Sequence, residues 1–482
     1  MSMYRILKRA LRKAYGRLPL AFLPVSFYNE VAKSNPALFP CLFGENHEGG
    51  FVMQSGVQFH SSDPVLNTRF DWARKQALAY VHDHAPIGPV YEAALPGREA
   101  FCMRDVAHHA AGAHALSLDE HNYTMLRRFA LGISESRSYC SYWEITFDGR
   151  PCPVDYLDDT DFWYNLPANF DVMDACLRMY NWTGDSRYLF KEEFRHFYRM
   201  SVEDYIRHWD RDHDGVMERQ QGTGRCGIAS YDESPRQKGY KVAADLLAAE
   251  FRGLLTYADM LHIVGEHVRA KEYEQKAQRL QDWFEDAWWS EKEQAYAAVW
   301  FGGDKFGFEY MGTVEGMPLY FGLIRDPKRQ QKQLDYILKN SADCVEEFSY
   351  HAEIFWRYGL NGKAREAFLA MTNPDLKRRE YPEISYAAIG AIVTGLMGIR
   401  PNAAEGVLHT RSTLNSGEFA QVNHLPLWGG EISLLHEGRE RSTLFNQTAR
   451  PVSWMPEGAK APIAVAAGET KASIGSAQEA NG

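Results

Sequence analysis

The sequence predicts a mainly α fold, an (α/α)6 toroid carrying a small C-terminal β appendage. Three observations predict it. About twelve segments repeat apolar residues at three- and four-residue spacing, their connections alternate between short and long, and after Pro401 the pattern changes to short alternating runs. Twelve helices joined in this way pair into hairpins, and the long loops gather at one end of the inner helices.

Residues 1–65 are irregular and rich in Pro and Gly, and read as a lead-in with room for one or two strands but not for a sandwich domain. The barrel is expected over 66–400. Its first helix follows Asn67, and further helical runs lie near 104–117, 119–133, 161–181, 186–209, 239–264, 267–289, 311–323, 328–339, 344–359, 361–371 and 383–398. Segments such as Phe419-Ala-Gln-Val-Asn-His-Leu and Glu431-Ile-Ser-Leu-Leu-His place a β region over 401–457. From 458 to 482, Ala, Gly, Ser and Glu dominate, and this stretch reads as a disordered tail.

Composition narrows the function. A chain of 482 residues with 45% hydrophobic and 24% charged side chains is a body of enzyme size. Its net charge of −10 opposes binding to nucleic acid. No segment reaches the roughly 18 consecutive apolar residues of a membrane span, and the basic N-terminal run lacks the features of a signal peptide, so a soluble cytoplasmic protein is expected. The seven cysteines show no Cys-x-x-Cys spacing and read as reduced thiols. Aromatic residues make up 13% of the chain, enough to fill a large core and to leave platforms for sugar rings.

Candidate chemistry centres on Gly224–Tyr240, a glycine-flanked loop between helical runs that carries Asp232, Glu233 and Arg236. Hydrolysis of a glycosidic bond usually needs one protonated and one ionised carboxyl group. Asp232 is the candidate acid, with Glu233 beside it and Arg236 pulling its acidity the other way. The second carboxylate is sought in Arg378-Arg-Glu-Tyr-Pro-Glu-Ile, where Glu380 and Glu383 precede the last barrel helix. Negative charge at a helix start is also favoured structurally, so Glu383 has a second explanation.

Arg104 and Asp105 adjoin at a helix start and could hold vicinal hydroxyls, one donating and one accepting. An ordinary ion pair is the alternative. Trp163, Tyr164 and Asn165 combine flat faces with an amide, as a sugar pocket would. His108, His109 and His114 lack companion ligands and read as helix-face residues. Asp210, Asp212 and Asp214 resemble the start of a calcium loop, but Gln221 stands where the bidentate Glu belongs, which favours a polar turn. No redox or organic cofactor is required.

The string Tyr231-Asp-Glu-Ser-Pro-Arg resembles the Met-Asp-Asn-Ser-Pro-Arg of the processing α-glucosidase I and mannosylglycerate hydrolase family. The resemblance implies an inverting glycosidase in which Asp232 is the general acid, with Glu233 in place of the family's Asn. Met103-Arg-Asp is similar to the Arg-Asp of the sugar subsite in glucoamylase-like barrels, and Glu383 falls about where such barrels place the base. The C-terminal β region is similar to that of α-L-rhamnosidase-type six-hairpin glycosidases.

The expected function is therefore an exo-acting, inverting glycoside hydrolase acting on a terminal, α-linked sugar of an oligosaccharide or glycoside. Asp232 would act as acid and Glu383 as base, the carboxyls about 6.5–9.5 Å apart. Arg104, Asp105, Trp163, Tyr164, Asn165, Glu233, Arg236 and Glu380 would bind substrate. Two rivals share the sequence: a sugar phosphorylase on the same barrel, for which Arg378 and Arg379 could supply phosphate donors, and a non-catalytic carbohydrate-binding protein.

Overall fold

The computed structural model describes residues 56–95, 97–220, 222–232, 237–341, 345–375 and 382–474, with the backbone alone at 382 and 383. Glu233, Arg236, Glu380 and the side chain of Glu383 lie outside the described residues, as does most of the expected lead-in.

Six helices form an inner ring: α2 (Met103–Ala115), α4 (Ala168–Thr183), α6 (Ala244–Ile263), α8 (Thr313–Tyr320), α10 (Val345–Arg357) and α12 (Pro382–Gly390). Each packs on the next, and α12 returns to α2 to close the circle. Between them in sequence run the outer helices α1 (Pro64–Leu78), α3 (Asp119–Leu131), α5 (Glu192–Met200), α7 (His267–Ala287), α9 (Pro327–Asn340) and α11 (Asn361–Met371). The mainly α toroid expected from periodicity is the observed fold.

Burial explains which helices go inside. α6 buries residues all around its axis, including Leu246, Leu247, Phe251, Leu254 and Leu261, as a helix surrounded by other helices must. α7 instead buries one stripe, Ala270, Tyr273, Ala277, Leu280 and Phe284, at helical spacing, and faces solvent elsewhere. Closure of the ring depends on small residues. A Cβ on Gly112 of α2 would stand 2.0 Å from the main-chain oxygen of Tyr386 on α12, so only glycine allows these two backbones to meet. Tyr386 in turn donates to the carbonyl of Ala77 on α1 at 2.8 Å. Asp63 caps α1 by accepting from Val65 and Leu66 and pairs with Arg365 of α11, so one carboxylate joins two outer helices.

The β region is larger than expected at both ends. Strand β1 (Gln58–Ser61), from the expected lead-in, pairs antiparallel with β9 (Phe419–Leu427). It edges a five-stranded sheet that continues through β10 (Gly430–Glu437), β11 (Arg441–Asn446) and β14 (Thr470–Ile474). A four-stranded sheet is ordered β7 (Arg400–Asn402), β8 (Val407–Thr410), β12 (Val452–Pro456), β13 (Ile463–Val465), with β8 and β12 parallel. β13 and β14 correct the expectation of a disordered tail from 458. β14, Thr-Lys-Ala-Ser-Ile, is a largely polar edge strand held by main-chain pairing with β11, whereas β13, Ile-Ala-Val, pairs with β12 and buries Val465.

Among the described residues, no helix is long and apolar enough to cross a membrane. The abundant aromatics mainly fill the interior: Trp209, Trp288, Trp356 and Trp454 are fully buried.

Candidate active site

The loop bearing Asp232 is fastened to the barrel by the residue before it. Tyr231 is buried, and three inner helices grip it through their first turns. Arg104 Nη1 of α2 donates to its carbonyl oxygen at 3.0 Å, its amide donates to Asp245 Oδ2 of α6 at 2.7 Å, and its hydroxyl donates to Asp171 Oδ1 of α4. Ser230 adds a bond to Asp245 at 2.8 Å, and its hydroxyl accepts from the amide of Asp232 at 3.0 Å. Asp232, half-buried, is thereby held at the end of the ring where these helices begin.

Asn165 belongs to the same support. Its amide nitrogen donates to the carbonyls of Ser230 and Tyr231 at 2.9 and 3.3 Å, and the residue is buried. Tyr164 lies deeper: fully buried, it donates to Asn169 Oδ1 at 2.5 Å and packs near Trp143 and Phe162. The structure therefore sets Tyr164 in the core and Asn165 under the loop, and neither side chain meets the open cavity. A sugar contact by either residue is corrected to a structural role, because both side chains are buried away from the cavity, Tyr164 with its hydroxyl bonded and Asn165 with its amide nitrogen bonded and its Oδ1 left without a partner.

Beside this anchor opens a cavity of about 410 Å3 whose wall includes Arg104, Asp105, Trp143, Asp155, Trp163 and Glu346. The guanidinium of Arg104 lies 5.5 Å from the centre of the Trp143 ring and its Nε 4.0 Å from Asp105. Three of the expected substrate contacts, Arg104, Asp105 and Trp163, thus share one opening. Flat rings beside donors and carboxylates can stack on a sugar ring and read its hydroxyls.

The first turns of the inner helices are acidic throughout: Asp105, Asp171, Asp245, Glu315, and both Glu346 and Glu347 of α10. Glu383 occupies the corresponding place on α12. Helix dipoles favour such charges, yet burial opposes them. Burial pushes Asp171 up to about 7 even though Tyr231 stabilises its ionised form. Asp245 is raised to about 7, by burial first, and the charge of Asp232 adds to the rise. Glu315 is driven well above the usual carboxylate range by burial, with Asp245 and Glu347 contributing. Asp174, one turn below Asp171, behaves oppositely: burial would raise it, but Arg252 and Arg178, bonded at 2.6 and 2.7 Å, hold it down to about 2.

A carboxyl pair in the cavity wall escaped the sequence reading. Asp155 is pushed up to about 7 by burial and by the neighbouring Glu144, which accepts from Arg98 at 2.8 Å. Glu346 was also missed, as were Asp171 and Asp245. Their only signal in the sequence is an acid near the start of each inner run, which helix capping would produce as well.

The histidines are core residues. His108 stacks on Tyr350 with ring centres 3.8 Å apart, and burial lowers it to about 4, so it is neutral. His114 is buried between Asp119, at 2.6 Å, and the carbonyl of Pro426, at 2.9 Å. The carboxylates of Asp210, Asp212 and Asp214 do converge, with oxygens within 4.8 Å of one another. They fit a hard cation poorly, since Asp210 already accepts from the amides of Asp214 and Gly215, and the ammonium of Lys241 lies 3.3 Å from Asp212.

No family model and no curated protein sequence matches the chain. Solved structures do. The chain is similar to a GH78-family rhamnosidase of Bacillus sp. GL1, with a TM-score of 0.59 and 13% identity, over 83% of this chain and 42% of that one. An α-L-rhamnosidase from Aspergillus terreus matches with a TM-score of 0.60 and 11% identity, over 88% and 51%. A protein from the human microbiome assigned as a kojibiose phosphorylase matches with a TM-score of 0.58 and 10% identity, over 98% and 65%. The chain thus spans between 42% and 65% of the length of these structures. By ring closure and by these likenesses, it has the six-hairpin (α/α)6 fold found in glycosidases and in a protein assigned as a sugar phosphorylase.

Proposed function

We propose that the chain is an exo-acting glycoside hydrolase of inverting stereochemistry, with Asp232 as general acid and Glu383 as general base. The observation that carries this reading is the three-helix anchorage of Tyr231, which holds the next residue, Asp232, at the acidic end of the ring. A general acid must be fixed relative to the leaving oxygen, and a loop tied to three helices meets that requirement. In this reading Asp232 gives its proton to the glycosidic oxygen as the bond to the anomeric carbon breaks. Glu383, on the first turn of α12, takes a proton from the water that attacks the opposite face. Arg104 and Asp105 hold hydroxyls of the terminal sugar, and Trp163 offers its ring face.

Rhamnosidases and an assigned kojibiose phosphorylase share the fold, so α-L-rhamnosides and α-glucosides come first among substrates, each with and without phosphate. The test follows the released sugar and its anomer by NMR for the wild type and Asp232→Asn. Free sugar of inverted configuration that vanishes in the variant supports the proposal. Sugar phosphate formed only when phosphate is present replaces the hydrolase with a phosphorylase, and retained configuration removes the assigned roles.

A further inference from the structure

A second cavity, of about 260 Å3, lies at the other end of α10, where the barrel meets the four-stranded sheet. Its polar wall comes from separate elements: Arg357 ends α10, Arg400 opens β7, His409 lies on β8 and Arg411 follows it. Glu346 and Arg357 occupy opposite ends of α10, roughly 17 Å apart at the helical rise, so this cavity is distinct from the one beside Asp232.

Three guanidinium groups crowd here with too little negative charge. Arg357 pairs with Glu353 and donates to the carbonyl of Tyr320 at 2.9 Å, yet its Nε is buried with no partner. Arg411 donates to the carbonyl of Arg357, and its Nε, 3.1 Å from Glu457, is likewise buried without a well-aligned hydrogen bond. Arg400 forms no ion pair with any described carboxylate. Desolvation, then Arg357 and Arg411 against the opposing charge of Glu353, push it down to about 10, although the residue as a whole is exposed. A helix end accounts for one cation, since Arg357 opposes the dipole of α10, but not for Arg400 and Arg411, which the sheet brings in. Like charges converging with unused donors mark a place where an anion would repay the repulsion. Gly398 lets the chain pass close beside Arg411: a Cβ there would stand 2.4 Å from the carbonyl oxygen of Arg411.

We propose that this cavity is a second ligand site, separate from the candidate active site, that takes a phosphate dianion, either free or as the phosphoryl group of a small phosphate monoester. Arg357, Arg400 and Arg411 supply the donors. The volume exceeds that of phosphate alone and leaves room for a small organic group against Trp356 and Met455.

The test is calorimetric titration of the full chain at fixed ionic strength with inorganic phosphate, glucose 6-phosphate, glucose and sodium chloride. The wild type is compared with Arg400→Gln, Arg400→Lys and, at the other end, Arg104→Gln. The expected result is saturable binding of phosphate and of glucose 6-phosphate, weakened about ten-fold in Arg400→Gln, less in Arg400→Lys, and unchanged in Arg104→Gln, while glucose shows no binding that Arg400→Gln weakens. Tighter binding of glucose 6-phosphate than of phosphate identifies the monoester as the ligand, and equal binding identifies phosphate. Wild-type crystals soaked in tungstate locate the anion without relying on any variant, with anomalous density expected among the three arginines. No binding beyond chloride, binding undiminished in Arg400→Gln, binding lost in Arg104→Gln, or tungstate only elsewhere would each overturn the proposal.

Discussion

Arg104 donates to the carbonyl oxygen of Tyr231 at 3.0 Å and also lines the cavity in which Trp163 stands. One guanidinium therefore touches both the support of the candidate acid and the wall of the candidate sugar site. Lysine keeps the charge but has no planar fork with which to do both. Arg104→Lys is expected to lower kcat/KM about 100-fold with both constants affected, measured on whichever glycoside the wild type turns over. An effect on KM alone would show that the bond to Tyr231 has no part in catalysis.

Tyr231→Phe removes the hydroxyl that serves Asp171 and leaves a buried carboxyl short of a donor. The expected loss of stability is about 1–3 kcal/mol by urea unfolding. Because the hydroxyl stabilises the ionised form, the loss should grow as pH rises past about 7, where Asp171 ionises in the wild type. A loss that is the same at pH 5 and pH 8 would contradict this.

Glu250 of α6 is buried and raised to about 8, chiefly by burial, with Asp210 and Asp214 adding to the rise. A carboxyl raised in the folded state favours folding most fully below its unfolded value, and that contribution disappears as pH climbs through the folded value. Glu250→Gln carries no such dependence. Its melting temperature should match the wild type near pH 4.5 and exceed it by about 2–4 °C at pH 8. A gap that shrinks with rising pH would reverse the assignment.

Gly112→Ala places a methyl group against the backbone of α12. Backbone cannot rotate aside as a side chain can, so the inner ring must open. Destabilisation of about 3 kcal/mol is expected, measured by denaturant unfolding, together with loss of activity from displacement of α12.

Calcium at millimolar concentration should leave the melting temperature unchanged, because Lys241 already sits beside Asp212 and, at 2.9 Å, beside Glu218. Lys241→Ala removes that competitor and should make the same protein respond. A calcium shift in the wild type would mean that the ammonium yields to the ion.

Helical periodicity made the barrel legible, since each of the twelve runs contains a helix of the ring or of its outer layer. Boundaries were lost where tertiary pairing overrode local pattern. The run expected from 161 becomes helix only at Ala168, because the amide of Leu166 pairs with the carbonyl of Ile228 in the Asp232 loop. A strand in the lead-in was expected, but the pairing of β1 with β9 could not be read because its partner is remote, and β14 escaped because an edge strand needs no apolar face. In the candidate site, Arg104, Asp105 and Trp163 could be picked out as polar or aromatic residues near helix starts. Asp171 and Asp245 could not, since a lone acid in an apolar run reads as a cap until the loop that it holds is seen above it.

The pairing of β1 with β9 sets an order of events for a chain made from its N-terminus. Ser62 and Phe419 meet across a separation of 357 residues, so the first strand leaves the ribosome long before its neighbour exists. Until then its edge is open to any other strand, and the ring beside it has no clasp. Contacts of such separation form slowly. A nascent chain stopped short of β9 would therefore rely on chaperones to shield that edge, and the pairing of β1 with β9 would come late in folding.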